Sequence, residues 1–231
     1  MKKARLVIVR HGETDYNVKR IMTGQRDIPL NATGEEQARA AGGMIRDIRF
    51  DKVYSSSLRR AFNTAVIMLE TAGTQAHLCG ADGAFLIEKR QDLVEMDNGD
   101  YTGRCKDEPD VAARLAASDT VPWPGGESVE DVVARVQKFY DEELMPRLLR
   151  GENVLVAAHH VVLRAFEIVL GVEKPGMRRT VPNAVPAVCE YEDGVMTGFA
   201  YAVPTEMRAN QNAVPGRKAA SQRKGNQGPG M

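Results

Sequence analysis

The chain has 231 residues, of which 43% are hydrophobic and 27% are charged, as is usual for a folded globular protein. This composition excludes collagen-like, wholly disordered and disulfide-scaffold proteins. Lys+Arg and Asp+Glu each number 31, so the formal net charge is zero, which argues against a protein specific for nucleic acid.

The cysteines and the start of the chain point to the cytoplasm. Cys79, Cys105 and Cys189 are far apart and form no CxxC or Cys/His ligand spacing, so neither a disulfide framework nor a metal site is predicted. The basic residues at the start precede an apolar run of only four residues, Leu6 to Val9. That run is too short for a secretion signal or a membrane span, and we expect a cytoplasmic protein that does not bind membranes.

Apolar runs alternate with helical periodicities along most of the chain. Strands that alternate with helices predict an α/β fold, a three-layer sandwich with a mostly parallel central sheet. Capping pairs Thr33 with Glu36 and Ser128 with Asp131 are expected to begin two of the helices. The predicted strands are 4–9, 52–55, 85–88 and 153–158, the helices are 33–47, 58–71, 107–117, 129–149 and 161–170, and residues 187–191 and 195–201 form a hairpin.

The composition changes near residue 205, which divides the chain into a folded domain over 1–204 and a tail over 205–231. The tail has no aromatic residue and carries five basic residues against one acidic residue. The other 204 residues hold 26 basic and 30 acidic residues, so the zero net charge is the sum of an acidic body and a basic tail. Such a tail buries too little apolar surface to fold, and we predict that it is disordered.

Two histidines follow two predicted strands directly. His11 comes after strand 4–9 and His159 after strand 153–158. Ligands bind beyond the carboxyl ends of parallel strands, so both imidazoles reach one crevice if the strands are neighbours. Arg10 precedes His11, and Arg60 lies in the first turn of a helix, where a bound anion would offset its unfavourable position.

These side chains together suit a phosphate group. Two guanidinium groups match the charge and the oxygen geometry of a phosphomonoester, and they favour the neutral form of a neighbouring imidazole, which is a nucleophile. The arginines neutralise the transferring group, so no metal is expected. Glu95, in a polar loop after the third strand, is a candidate acid for the leaving alkoxide.

The same residues resemble the motifs of the histidine phosphatase superfamily, also called the phosphoglycerate mutase-like family. The resemblance covers about residues 4 to 203, in a fixed order of motifs. Its fold is an α/β sandwich with a mostly parallel sheet, as the pattern of elements predicts. The matching segments are Arg10-His11-Gly12-Glu13-Thr14 with Asn17, residues 23–30 with Thr33-Gly34, residues 54–61 with Thr64-Ala65, Leu93-Val94-Glu95 with Gly99 and Gly103, residues 124–128, and the strand ending at His159.

The resemblance implies roles for individual residues. His11 would become phosphohistidine, Arg10, Arg60 and His159 would hold the phosphoryl group, and Glu95 would act as general acid and base. Where the family usually has glycine after the second histidine, this chain has His160. We place four further residues against the phosphate: Asn17, Thr23, Gly24 and His160.

Two reactions fit this pocket. A phosphatase lets water attack the phosphohistidine, whereas a 2,3-bisphosphoglycerate-dependent phosphoglycerate mutase, a glycolytic enzyme, returns the phosphoryl group to the bound glycerate. The mutases have an arginine and an aromatic residue soon after the acid, where this chain has Met96 and Asn98, and a longer insertion than the segment between Gly103 and Gly125. We therefore favour hydrolysis of a small phosphomonoester.

The alternatives differ in their cofactors and partners. A phosphatase needs no cofactor, whereas a mutase would need 2,3-bisphosphoglycerate as the primer of its phosphohistidine. A third alternative is a non-catalytic module that binds phosphorylated ligands. In each case the partner is a small phosphorylated metabolite, and a homodimer is compatible with the family.

Overall fold

Six strands form one sheet in the computed structural model, which describes residues 1–116, 120–174 and 180–202. The strands are β1 (Lys3–Arg10), β2 (Lys52–Ser56), β3 (Ile87–Arg90), β4 (Val154–Ala158), β5 (Ala187–Glu192) and β6 (Val195–Tyr201). Their order is β3-β2-β4-β1-β5-β6, and the first four strands of this order are parallel to one another. Strand β5 is antiparallel to β1, and β6 forms an antiparallel hairpin with β5 at one edge.

Helices cover both faces of this sheet. They are α1 (Asp15–Val18), α2 (Ala32–Met44), α3 (Arg59–Ala72), α4 (Pro109–Ala116), α5 (Val129–Phe139), α6 (Met145–Arg150) and α7 (His160–Val169). The apolar side chains of β1 alternate between two cores, with Val7 and Val9 facing α2 and α3 and with Leu6 and Ile8 facing α5 to α7. The three-layer α/β sandwich predicted from the sequence is thus confirmed.

Local details differ from the sequence-based expectations in two helices. Helix α2 begins at Ala32 because Asn31, and not Thr33, is its N-cap residue. The side chain of Asn31 accepts a hydrogen bond from the backbone amide of Gly34 in the first turn. The single helix expected over 129–149 is divided by a π-helical turn at Tyr140–Leu144, followed by Pro146 in α6. The capping box of Ser128 with Asp131 at the start of α5 is present.

The topology decides where a ligand can bind. Strands β1 and β4 are adjacent and parallel, with Arg10 paired to Ala158 at their carboxyl ends. Both strands therefore deliver the residues that follow them to the same edge of the sheet. The predicted tail, 205–231, lies outside the described residues. No helix in the described part of the chain is long and apolar enough to cross a membrane.

Candidate active site

The two histidines that follow β1 and β4 meet at the carboxyl edge of the sheet. The amide of His11 donates to the carbonyl of Ala158 over 3.0 Å, which continues the pairing of the two strands by one residue. The ring centroids of His11 and His159 are 5.2 Å apart. The two imidazoles therefore lie together, as the positions of His11 and His159 after two neighbouring strands predicted.

His11 is held in one tautomer. Its Nδ1 lies 2.6 Å from the carbonyl oxygen of Gly12, and since a carbonyl only accepts, Nδ1 carries the hydrogen. The lone pair is then on Nε2. Burial, together with the charges of Arg60 and Arg10, holds the pKa of His11 well below its usual value, so the ring is neutral at neutral pH.

The loop that carries His11 is tied to helix α3 by one hydroxyl. The Gly12 amide donates to Oγ1 of Thr64 over 3.0 Å, and that hydroxyl donates to the carbonyl of Arg60 over 2.7 Å. Gly12 itself leaves no room for a side chain, because a Cβ there would overlap the backbone of Gly34 in α2. The backbone beside the histidine is thus fixed relative to two helices.

Arg60 is the largest of the fully buried side chains in the described part of the chain, and each of its three guanidinium nitrogens makes one hydrogen bond to the protein. Its Nη1 and Nη2 donate to the carbonyls of Arg26 and Gly24 over 2.6 and 2.9 Å, and its Nε donates to Nδ1 of His159 over 3.2 Å. Burial lowers the pKa of Arg60 to about 10, against the opposing charges of Glu95 and Asp27, so the group remains a cation at neutral pH.

Arg10 approaches the same place from the end of β1. Its Nη1 donates to the carbonyl of Val181 over 2.7 Å. Its Nε is buried and has no hydrogen-bond partner among the described residues. Burial lowers the pKa of Arg10, and Glu95 opposes that effect. An unsatisfied buried donor on a cation is suited to an anionic oxygen.

His159 has both ring nitrogens engaged by the protein. Because Arg60 donates to Nδ1, the hydrogen is on Nε2, which donates to Oγ of Ser56 over 2.8 Å. The ring is fully buried, and burial and the charge of Arg60 hold its pKa well below the usual value. In this arrangement His159 supports the guanidinium of Arg60, and its direct contact with a phosphoryl group stays a prediction.

A cavity of about 400 Å³ lies over these groups. The predicted site residues are brought together around it, with the exception of His159, which is bonded to Arg60 but does not line the cavity. The predicted residues that line the cavity are Arg10, His11, Asn17, Thr23, Gly24, Arg60, Glu95 and His160.

Glu95 is half-buried and is held by one carboxylate oxygen. Its Oε1 accepts from the amides of Met96 and Val161 over 2.9 and 3.2 Å. Among the described residues Oε2 has no hydrogen-bond partner, and the side chain lines the cavity that also exposes His11. The carboxylate is therefore oriented by backbone amides while one oxygen is left to exchange a proton.

Lys106 also lines the cavity, and the sequence did not predict it. Its segment pairs with the chain that follows α1. The amide of Lys106 donates to the carbonyl of Arg20, and the backbones of Cys105 and Ile21 form an isolated antiparallel β-bridge. Burial and the charge of Arg10 lower the pKa of Lys106. In the described ranges no carboxylate forms an ion pair with its amine, whereas the nearby Arg20 is paired with Asp107 at 2.9 Å.

No group of three or more potential metal ligands of the His, Cys, Asp or Glu type occurs within the described residues. The chemistry that the described side chains can supply is a neutral imidazole nucleophile, two guanidinium groups beside it and one carboxyl group across the cavity. These are the elements of phosphoryl transfer by way of a histidine.

Comparisons with known proteins agree with this chemistry. The model of the histidine phosphatase superfamily (branch 1) matches residues 6–198. The 2,3-bisphosphoglycerate-dependent phosphoglycerate mutase of Methylobacterium sp. (strain 4-46) is 42% identical over 175 residues, which cover 71% of this chain and 79% of that protein.

Solved structures of two kinds are similar to this fold. The mycobacterial glucosyl-3-phosphoglycerate phosphatase is 29% identical with a TM-score of 0.69, and the match covers 86% of this chain and 97% of that one. A phosphoglycerate mutase from Bacillus anthracis is 23% identical with a TM-score of 0.70, over 91% of this chain and 96% of that one, which shows the shared fold.

Proposed function

The chain belongs to the histidine phosphatase superfamily, whose members are phosphoryl-transfer enzymes, and from this premise we propose that it hydrolyses a small phosphomonoester through a phosphohistidine at His11. One observation carries the proposal. His11 is a neutral imidazole whose Nδ1 is bonded to the Gly12 carbonyl, which leaves the lone pair on Nε2, and the ring lines one cavity with the cations of Arg10 and Arg60.

In the first half-reaction Nε2 of His11 attacks phosphorus. The N–P bond forms as the ester P–O bond breaks, and the carboxyl group of Glu95, acting as general acid, gives a proton to the leaving alkoxide. The guanidinium groups of Arg10 and Arg60, which line the same cavity as His11, neutralise the phosphoryl oxygens. His159 acts on the reaction through Arg60, which it holds at Nε.

In the second half-reaction water attacks the phosphohistidine. Glu95, now ionised, takes a proton from that water, the P–O bond forms, and the N–P bond breaks with its electron pair returning to Nε2. Inorganic phosphate leaves, and Glu95 is protonated again for the next cycle. No metal is needed in this sequence because the two arginines carry the charge.

The basic groups beyond the phosphoryl site favour hydrolysis over mutase chemistry. Of the described residues that line the cavity there, Arg20 is neutralised by Asp107, and Lys106 remains as a cation without an ion pair. One ammonium suits a single carboxylate better than a second phosphate dianion. The buried Met96 and Asn98 stand where, by resemblance, mutases carry an arginine and an aromatic residue.

A phosphoglycerate mutase reaction is the second candidate. It is favoured by the name of the curated relatives, which share about 40% identity with this chain and depend on 2,3-bisphosphoglycerate. In that case 2,3-bisphosphoglycerate would prime His11, and the carboxylate of the glycerate would lie against Lys106.

The discriminating experiment supplies 3-phosphoglycerate with and without 2,3-bisphosphoglycerate and follows 2-phosphoglycerate and free phosphate separately. We expect phosphate release without isomerisation, and a panel of small phosphomonoesters then identifies the substrate. Rapid isomerisation with little phosphate would assign the mutase reaction instead. Binding of phosphorylated ligands with neither product would leave a non-catalytic binding module.

A further inference from the structure

Ser56, the last residue of β2, is fully buried and contacts the second histidine of the site. Strand β2 pairs with β4, with Ser55 opposite Ala157, so Ser56 and His159 come from neighbouring strand ends. The hydroxyl oxygen of Ser56 lies 2.8 Å from Nε2 of His159, and it accepts from the backbone amide of Leu58 over 3.2 Å. The serine thus joins the histidine to the residue that precedes α3.

A chain of hydrogen bonds connects Ser56 to Arg60. Nε2 of His159 donates to the serine, and Nδ1 of the same ring accepts from Nε of Arg60 over 3.2 Å. The other two nitrogens of the guanidinium donate to the carbonyls of Gly24 and Arg26. Arg60 lines the cavity, whereas Ser56 and His159 do not. Ser56 therefore acts on a bound phosphate only through Arg60.

The bond between His159 and Arg60 requires one tautomer of the ring. A neutral imidazole carries a single hydrogen, and a guanidinium can only donate, so the bond exists only while Nδ1 has no hydrogen. With the hydrogen on Nδ1, two donors would face each other. An acceptor at Nε2 favours the hydrogen there, because a buried N–H would otherwise lose its partner.

We propose that Ser56 is a positioning residue for phosphoryl transfer, whose hydroxyl keeps the hydrogen of His159 on Nε2 and so leaves Nδ1 as an acceptor for Arg60. This inference rests on the proposed function, in which the guanidinium of Arg60 neutralises the phosphoryl oxygens. Donors stabilise a developing charge best when they are already held in place, and here β2 supplies the serine, β4 leads to the histidine and α3 carries the arginine.

The first test removes the acceptor with Ser56→Ala. We expect kcat/KM for phosphate release from p-nitrophenyl phosphate to fall by about 10- to 100-fold, as it does when a metal-bound histidine loses the partner that orients it. The Kd of inorganic phosphate, measured by calorimetry, should rise by about tenfold, which corresponds to one weakened hydrogen bond to a charged group. Ser56→Thr keeps the hydroxyl and should restore most of both quantities.

Ser55 provides a matched control in the same strand. It is as fully buried as Ser56, but its hydroxyl donates to the backbone carbonyl of Ser56 over 2.9 Å and not to the histidine. Ser55→Ala should therefore lower stability while leaving kcat/KM and the Kd of phosphate close to wild type. Equal changes of both quantities in the two alanine variants would show a merely structural role and overturn the proposal.

The tautomer of His159 is measured directly by nitrogen NMR of protein made with isotope-labelled histidine. The chain has four histidines, and spectra of His11→Gln, His77→Gln and His160→Gln assign the signals. We expect a single form with the hydrogen on Nε2 in the wild type, and loss of that single form in Ser56→Ala. A hydrogen on Nδ1 in the wild type, or unchanged signals of His159 in Ser56→Ala, would overturn the proposal.

The spectra and the phosphate Kd do not depend on turnover, so failure of the inference is distinguishable from failure of the proposed function. If every ester is left intact, the proposed function fails, and the tautomer and the Kd still decide whether Ser56 positions Arg60. If Ser56→Ala does not fold, Ser56→Cys takes its place, because a thiol is a weak acceptor. The same changes in the signals and in the Kd are then expected, and their absence would refute the role of Ser56.

Discussion

Replacing Arg60 by lysine keeps the charge at the site and removes the guanidinium geometry. In the structure the three nitrogens of Arg60 donate to three separate acceptors, which are the carbonyls of Gly24 and Arg26 and Nδ1 of His159. A lysine ammonium at the end of a single stem reaches at most one of them. The substitution therefore leaves two buried acceptors without a charged donor.

The expected size follows from those two lost bonds. Hydrogen bonds to charged groups contribute about 1.5–3 kcal/mol each, so the free energy of unfolding of Arg60→Lys should fall by about 3–6 kcal/mol. Loss of one preorganised donor to the transferring group should also lower kcat/KM by about 100- to 1,000-fold. Urea denaturation measures the first quantity, and phosphate release from p-nitrophenyl phosphate measures the second.

Arg59 provides the matched control on the same helix. Its side chain is 54% exposed and pairs with Asp27 at 3.1 Å, a contact that a lysine can keep. Arg59→Lys should therefore change the free energy of unfolding by less than about 1 kcal/mol and leave the kinetics close to wild type. If Arg60→Lys behaved like Arg59→Lys in both assays, the argument that the guanidinium fork organises this site would be wrong.

Three further predictions concern the histidines and the loop beside them. The pKa values of His11 and His159 are lowered in the folded protein, so below pH 6.5 the unfolded chain binds protons that the folded chain excludes. As the pH falls from 7 to 5, each ring should therefore lower the free energy of unfolding by about 2 kcal/mol. His11→Gln removes one of the two rings and should reduce that fall by about 2 kcal/mol. Gly12→Ala should lower the free energy of unfolding by about 2–3 kcal/mol, because the added Cβ overlaps the backbone of α2. Gly43→Ala, whose Cβ meets open space, should instead raise the free energy of unfolding by about 0.5–1 kcal/mol. Equal melting temperatures of the two variants would contradict this. Thr64→Val should leave the Gly12 amide without an acceptor and lower the free energy of unfolding by about 1–3 kcal/mol. Thr64→Ser keeps the hydroxyl and should recover that stability in the same melting assay.

The layered fold could be predicted from the sequence because its elements are set by local patterns. Short apolar runs predicted the parallel strands, and the residues that follow β1 and β4 were expected at one edge. The π-helical turn at Tyr140–Leu144 escaped prediction because the apolar periodicity continues through it. The cap at Asn31 was missed because Thr33 and Glu36 imitate a capping box two residues further on.

Much of the candidate site was predictable, since Arg10, His11 and Arg60 stand next to the ends of predicted elements. Lys106 was not, because it reaches the cavity through pairing between distant loops, which no periodicity reveals. The partners of His159 were not predictable either. Its bonds to Arg60 and Ser56 join three elements, and a sequence pattern contains no information on which nitrogen meets which group.

The central claim is that the phosphoryl group passes through Nε2 of His11. The most direct test mixes the protein with a phosphomonoester labelled in the phosphoryl group, quenches within one turnover in alkali, and locates the label by peptide mass spectrometry. We expect one acid-labile, base-stable phosphoryl group on His11, with no label and no turnover in His11→Asn. Turnover without label on His11, or near-normal activity in His11→Asn, would contradict the account.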